Sequence, residues 1–182
     1  MAKVDIEFDQ LLPETLGALR SEGLQLVGVR EDGSANTMTI GWATFGILWG
    51  RPICVVLVRP SRYTYEFLEA VPDFTVNVMP KELAEVAAYC GTVSGRDEDK
   101  FANKGLTCTP GRVVKSPIIE EGIIHYECRI VHRNDLIPDQ LDAGIKAGAY
   151  PQGDFHRLYY GQIVASYAEE DAALRVSSPN AY

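Results

Sequence analysis

The run Ile53-Cys54-Val55-Val56-Leu57-Val58-Arg59, closed by Pro60, constrains the fold of this chain most. It has no helical period and is rich in β-branched side chains, the pattern of a strand covered on both faces. Proline donates no backbone hydrogen bond, so Pro60 ends it. A strand of this kind needs a sheet around it, and the rest of the chain supplies one. Leu24 to Arg30 and Asn36 to about Thr44 flank Glu31-Asp32-Gly33-Ser34, the composition of a tight hairpin turn. Phe74 to Met79, Ile123 to His132 and Leu158 to Tyr167 read as further strands.

The helical segments are short and lie between strands. Leu11 to Glu22 is amphipathic and stops at Gly23. Ser61 is placed to cap a helix from Arg62 to Ala70, Pro80 opens one from Lys81 to Tyr89, and Gly105 ends one from Arg96 to Lys104. Asn134 to Gly153 reads as a long loop with a functional or interface role. Glu169 to Tyr182 reads as a weakly structured tail beyond a core of about residues 20–168. The fold class this predicts is mainly β: a closed antiparallel barrel with short peripheral helices, in one domain over residues 1–182. A Rossmann domain would alternate strands with full helices around a Gly-rich fingerprint, and neither that nor a Walker A loop is present.

Charge narrows the chemistry. With 17 Lys and Arg against 25 Asp and Glu, the net charge of −8 argues against general nucleic-acid binding, which needs cations to neutralise phosphates. Any anion site must be built locally. Met1 to Gln10 carries no basic segment followed by an apolar run, and Ile47 to Val58 is interrupted by Gly50, Arg51 and Pro52. No membrane partner and a cytoplasmic location are therefore expected. Cys54, Cys90, Cys108 and Cys128 are widely spaced, which predicts reduced thiols and neither a metal site nor a disulfide framework.

Three features could carry chemistry. Arg59-Pro60-Ser61-Arg62-Tyr63-Thr64 joins a strand to a helix start, where free N–H groups attract an anion. Ser61 and Thr64 add hydroxyls, while Arg59 and Arg62 add forks that fit phosphate. A capped helix with two solvated arginines has the same sequence. In Asn36 to Thr44, alternation puts the small side chains of Thr37, Thr39, Gly41 and Ala43 on one face, leaving room for a flat ligand; a bulge at Gly41 reads equally well. His125 and His132 are an odd seven residues apart on one strand and cannot share a metal. His156 follows Gly153-Asp154-Phe155, where a side chain can protrude into a site, although a lone histidine is more often structural.

In this order the motifs resemble the flavin reductase-like family with the FMN-binding split barrel, and especially its flavoredoxin-like branch. The matches run from Asn36 to Thr39 through Gly41 to Thr44, Ile53 to Arg59, Ser61 to Thr64 and Val76-Asn77-Val78. They continue through Ser94-Gly95, Asp99-Lys100-Phe101, Cys128, Gly153-Asp154 and Gly161-Gln162-Ile163-Val164. Phe155 stands between Asp154 and His156, which the family often has adjacent. The resemblance implies that Arg59, Ser61, Arg62 and Thr64 hold the FMN phosphate, and that Thr39, Gly41, Trp42, Ala43 and Thr44 line the isoalloxazine. It implies that Asn77 and the segment Ser94 to Lys100 close the site, with Lys100 open to contribution across a homodimer. His156 would then tune the flavin or orient a substrate. The implied activity is hydride transfer from NADH or NADPH through FMN. An electron carrier to a redox protein partner without NAD(P)H oxidation, or a non-catalytic dimeric barrel, are the alternatives.

Overall fold

The computed structural model describes residues 2–176. Seven strands form one antiparallel sheet in the order β3 (Ala35–Ile40), β2 (Leu24–Val29), β6 (Asp73–Val78), β9 (Ile124–Asp135), β10 (Arg157–Glu169), β5 (Arg51–Val58) and β4 (Ala43–Leu48). A short β1 (Lys3–Asp5) joins the far end of β10, and β7 (Cys108–Thr109) pairs with β8 (Ile118–Ile119) as a separate ribbon. The sheet is mainly antiparallel and open, which agrees with the split barrel that the resemblance implies and corrects the closed barrel expected from the strand pattern: β3 and β4 at its two edges do not pair.

The single strand expected over Asn36 to Thr44 is two strands. β3 ends at Ile40 and β4 begins at Ala43, and the two lie on opposite edges of the sheet. Only Gly41 and Trp42 connect them, so Ile40 and Ala43 are at most about 11 Å apart, three Cα steps of ~3.8 Å. The sheet must therefore curl until its edges nearly meet, leaving a seam at Gly41-Trp42. The curl is accommodated at β10, whose register against β9 shifts between Tyr160 and Gly161 and again between Ile163 and Ala165. Gly161 is required there, because a Cβ would sit 2.4 Å from the Phe74 ring and 2.7 Å from Cys128 Cβ.

The inside of the curled sheet is the core, with Leu26, Val56, Phe74, Val76, Tyr126, Cys128 and Tyr159 all fully buried. β5, the run that most constrained the sequence, has both neighbours it requires, β4 and β10. Helices α2 (Tyr63–Ala70) and α3 (Ala84–Thr92) pack outside against β2 and β3. α1 (Leu12–Arg20) is shorter than expected and ends ahead of Gly23, whose left-handed φ of 78° turns the chain into β2. α3 begins three residues after its expected start because Lys81–Leu83 forms a separate tight turn.

Three other expectations are corrected. Arg96 to Lys104 is helical only over α4 (Lys100–Lys104), because the Asp99 side chain caps the Ala102 N–H there. The loop expected over Asn134 to Gly153 contains a tight turn and α5 (Ala143–Ala149), started by Asp142, whose carboxylate accepts from the N–H groups of Gly144 and Ile145. The tail expected from Glu169 instead finishes β10 and forms α6 (Ala172–Arg175), with Ala172 and Val176 packed on the core. Residues 177–182 of that tail lie outside the described residues. No helix among the described residues is long and apolar enough to cross a membrane.

Candidate functional site

Two cavities of about 310 and 210 Å³ adjoin at the seam and share Met38, Thr39 and Arg62 in their walls. Together they form one groove of a size usual for small-ligand sites, roughly 300–1,000 Å³. The larger half lies between the start of α2, the end of α3 and the segment that follows it. The smaller half lies between Ile40-Gly41-Trp42, Leu57, Arg59 and His156.

The larger half is built for an anion. The first turn of α2 leaves the N–H groups of Tyr63 and Thr64 without partners inside the helix. The Thr64 hydroxyl accepts a 2.8 Å bond from the Asn36 amide, and the Ser94 hydroxyl accepts one of 3.1 Å from the Arg96 N–H. Each hydroxyl thus has an acceptor role filled and a proton left to give. The Lys100 ammonium, on a residue only 4% exposed, donates to the carbonyls of Thr37 (2.9 Å) and Cys90 (2.7 Å). Burial depresses its pKa, and the charge of Arg62 pushes the same way. Among the described residues no carboxylate pairs with Lys100 or with the exposed Arg62, so two cations face the cleft uncompensated. Arg96 is different. Its guanidinium bonds Glu66 (2.6 Å) and the Ser61 carbonyl (3.1 Å) and lies over the Tyr63 ring.

The four donors expected together at the start of α2 are divided by the fold. Ser61 does not cap the helix; its hydroxyl donates to the Asp154 carboxylate at 2.5 Å, and Arg62 occupies the cap position. Arg59 points away from the helix start and donates to the carbonyls of Ala149 (2.9 Å) and Asp154 (3.0 Å) with its charge over the Tyr150 ring. It latches the segment that carries His156. Ser61 still lines the larger half, but its proton is committed to Asp154, which leaves Arg62 and Thr64 with Ser94 and Lys100 as the available donors at the anion end.

The smaller half is less polar. A Cβ added at Gly41 would meet no atom within 4 Å, so the backbone there is an open cradle. Trp42, 47% exposed, sets its ring 5.1 Å from that of His156. Burial, reinforced by Arg59, lowers the His156 pKa to about 4, so its ring is neutral at pH 7. Nδ1 of His156 meets the Tyr150 hydroxyl at 2.7 Å. The Thr39 hydroxyl is tied between the Gln25 amide and the Ala87 carbonyl, so it has no proton left for a ligand.

Some expected residues lie elsewhere. Ala43 and Thr44 continue into β4 and line neither cavity. Asn77 is fully buried in the middle of the sheet, bonded to the Gln25 carbonyl, Thr75, the Ile119 N–H and His125. Its register puts it on the same sheet face as Gln25 and Thr39 but two strands in from β3, where these bonds occupy its amide and keep it out of the groove. Lys100 reaches the cleft within its own chain. The sequence reading missed the end of α3, where Cys90 to Val93 form a wall, and it missed Tyr150. The first left a faint signal in Gly91, whose Cβ would press to 3.2 Å on Thr39.

Residues 20–177 match the model of the family described as flavin reductase like domain. The chain is similar to flavoredoxin of Desulfovibrio vulgaris (Miyazaki F), with 27% identity and a TM-score of 0.65 over 82% of this chain and 70% of that one. It is equally similar to flavoredoxin from Methanosarcina acetivorans, with 27% identity and a TM-score of 0.65 over 82% and 69%. An uncharacterized protein of Archaeoglobus fulgidus is 32% identical over 96 residues, 53% of this chain and 54% of that protein. The matches span 40% to 54% of the length of the curated relatives.

Proposed function

The chain belongs to the flavin reductase-like domain family, and from that premise we propose that it binds FMN in the groove and acts as an NAD(P)H-dependent oxidoreductase. One observation carries the FMN reading: a cleft with two uncompensated cations and two available hydroxyl protons runs directly into an open, aromatic-edged half. A flavin mononucleotide has that division, a phosphate at one end and a flat ring at the other. Arg62, Thr64, Ser94 and Lys100 hold the phosphate, and Thr39, Gly41 and Trp42 border the ring. Bound FMN supplies hydride and electron transfer.

The chain's own residues bind and orient. Asn36 fixes Thr64, Gln25 fixes Thr39, and the carbonyls of Thr37 and Cys90 aim the Lys100 ammonium. His156, neutral and beside Trp42, orients what enters the smaller half. NADH or NADPH is the electron donor in this reading, and the working unit is a homodimer. Likeness to two flavoredoxins favours a second reading, an electron carrier that hands electrons to a redox protein. Steady-state oxidation of NADH and NADPH separates the two, because the carrier reading requires bound FMN without turnover.

The FMN reading is tested by titrating FMN and riboflavin into the wild type and Arg62→Ala. Removing a charge-assisted bond of about 1.5–3 kcal/mol should weaken FMN roughly 10- to 150-fold and leave riboflavin nearly unchanged. Unchanged FMN affinity in Arg62→Ala, or a wild type that acquires no flavin absorption band, would overturn it.

A further inference from the structure

We propose that Tyr150 is a positioning residue for His156: its hydroxyl donates to Nδ1, holds the imidazole proton on Nε2 and presents that N–H to the smaller half of the groove. The inference rests on the proposed flavin site and adds to it a residue from the segment whose sequence reads as a loop.

The geometry carries the argument. The phenol oxygen stands 2.7 Å from Nδ1, and the two rings meet edge-on at 80°. Both residues are nearly enclosed, Tyr150 at 5% exposure and His156 at 9%. A phenol O–H is a much stronger acid than a neutral imidazole N–H, and imidazole nitrogen is the better acceptor. The shared proton therefore stays on the tyrosine, and the ring's own proton goes to Nε2. Among the described residues Nε2 has no partner, while His156 lines the cavity.

Tyr150 is itself held firmly. Phe155 stacks on it at 4.8 Å and 22°, and the Arg59 guanidinium covers its ring at 5.0 Å while bonding the carbonyls on either side of the turn. The insertion of Phe155 ahead of His156 therefore has a use as the second wall of the tyrosine's slot. A fixed, uncharged donor beside the Trp42 ring and Leu57 suits a flat ring bearing an uncharged acceptor such as a carbonyl or carboxamide.

The tautomer can be read without flavin. The chain has three histidines, so ¹⁵N-histidine labelling with long-range ¹H–¹⁵N spectra resolves each ring, and His156→Gln identifies the signal. We expect wild-type His156 to be wholly Nε2–H, and Tyr150→Phe, which keeps the stacked ring, to show both tautomers. In FMN-loaded protein Tyr150→Phe should weaken nicotinamide roughly three- to tenfold, the effect of one neutral hydrogen bond, with FMN affinity within about twofold. An Nδ1–H wild type, or an unchanged ring in Tyr150→Phe, overturns the proposal. If Tyr150→Phe does not fold, the wild-type tautomer decides alone. Failure to take up FMN would remove the flavin reading and leave the tautomer result standing.

Discussion

Gly41→Ala separates what the fold needs from what the ligand needs. Gly41 lies at the two-residue seam between β3 and β4, and a Cβ built there has no neighbour within 4 Å. Its φ is not in the left-handed region. Alanine therefore fits without strain, and the loss of glycine's backbone freedom in the unfolded chain favours the variant by ~0.4–1 kcal/mol. The new methyl projects into space that borders the smaller cavity. A ring lying on this backbone is pushed off its contacts, and crowding of that kind costs about 1–3 kcal/mol. The dissociation constant for FMN should rise roughly 5- to 150-fold. The assay pairs urea denaturation of the flavin-free protein with FMN titration followed by flavin fluorescence. Undiminished FMN affinity in a normally stable Gly41→Ala would refute the cradle. A flavin-free protein destabilised by more than about 1 kcal/mol would refute the reasoning about the backbone.

Gly95→Ala should differ in stability, because its Cβ would stand 2.0 Å from the Asn36 carboxamide oxygen. Displacing that buried amide releases Thr64, so urea denaturation should show a loss of about 1–3 kcal/mol together with weaker FMN binding; wild-type stability would contradict the close packing. His156 sets a pH dependence. Its folded pKa of about 4 lies below the unfolded value of 6.5, so its contribution is complete above pH 6.5. It is lost as pH falls toward 4, because the unfolded chain takes up a proton there that the folded chain refuses. The slope from this group is at most about 1.4 kcal/mol per pH unit. Comparing denaturation of wild type and His156→Gln between pH 7 and 4 isolates it, and identical slopes would show that the imidazole is not held neutral.

Much of the sheet was legible because strand formation is local. The β-branched run at Ile53, its stop at Pro60 and the Gly33 turn between β2 and β3 each depend on a few adjacent residues, and the structure places all three accordingly. The start of α2 was legible as an anion site for the same reason: a helix N-terminus, hydroxyls and guanidinium groups sit within six residues. Which of those groups keep a free donor for a ligand was not legible. Ser61 gives its proton to Asp154, 93 positions away, and Arg59 reaches the Ala149 carbonyl, 90 positions away. Asn77 resembled a site residue by motif, and its amide is taken up by Gln25, Ile119 and His125 two strands away from the groove.

The sequence by itself determined a strand-rich chain with an acidic surface and one local concentration of anion-binding groups, since period, turn chemistry and charge are properties of neighbours along the chain. Only the tertiary structure decided that the strand through Gly41 breaks into two edges of a curled sheet. It also decided that Lys100 lies buried beside Arg62, and that Tyr150 stands behind His156. Those outcomes depend on which hydrogen bonds and charges remain unsatisfied once distant segments are packed together, and no local pattern contains that information.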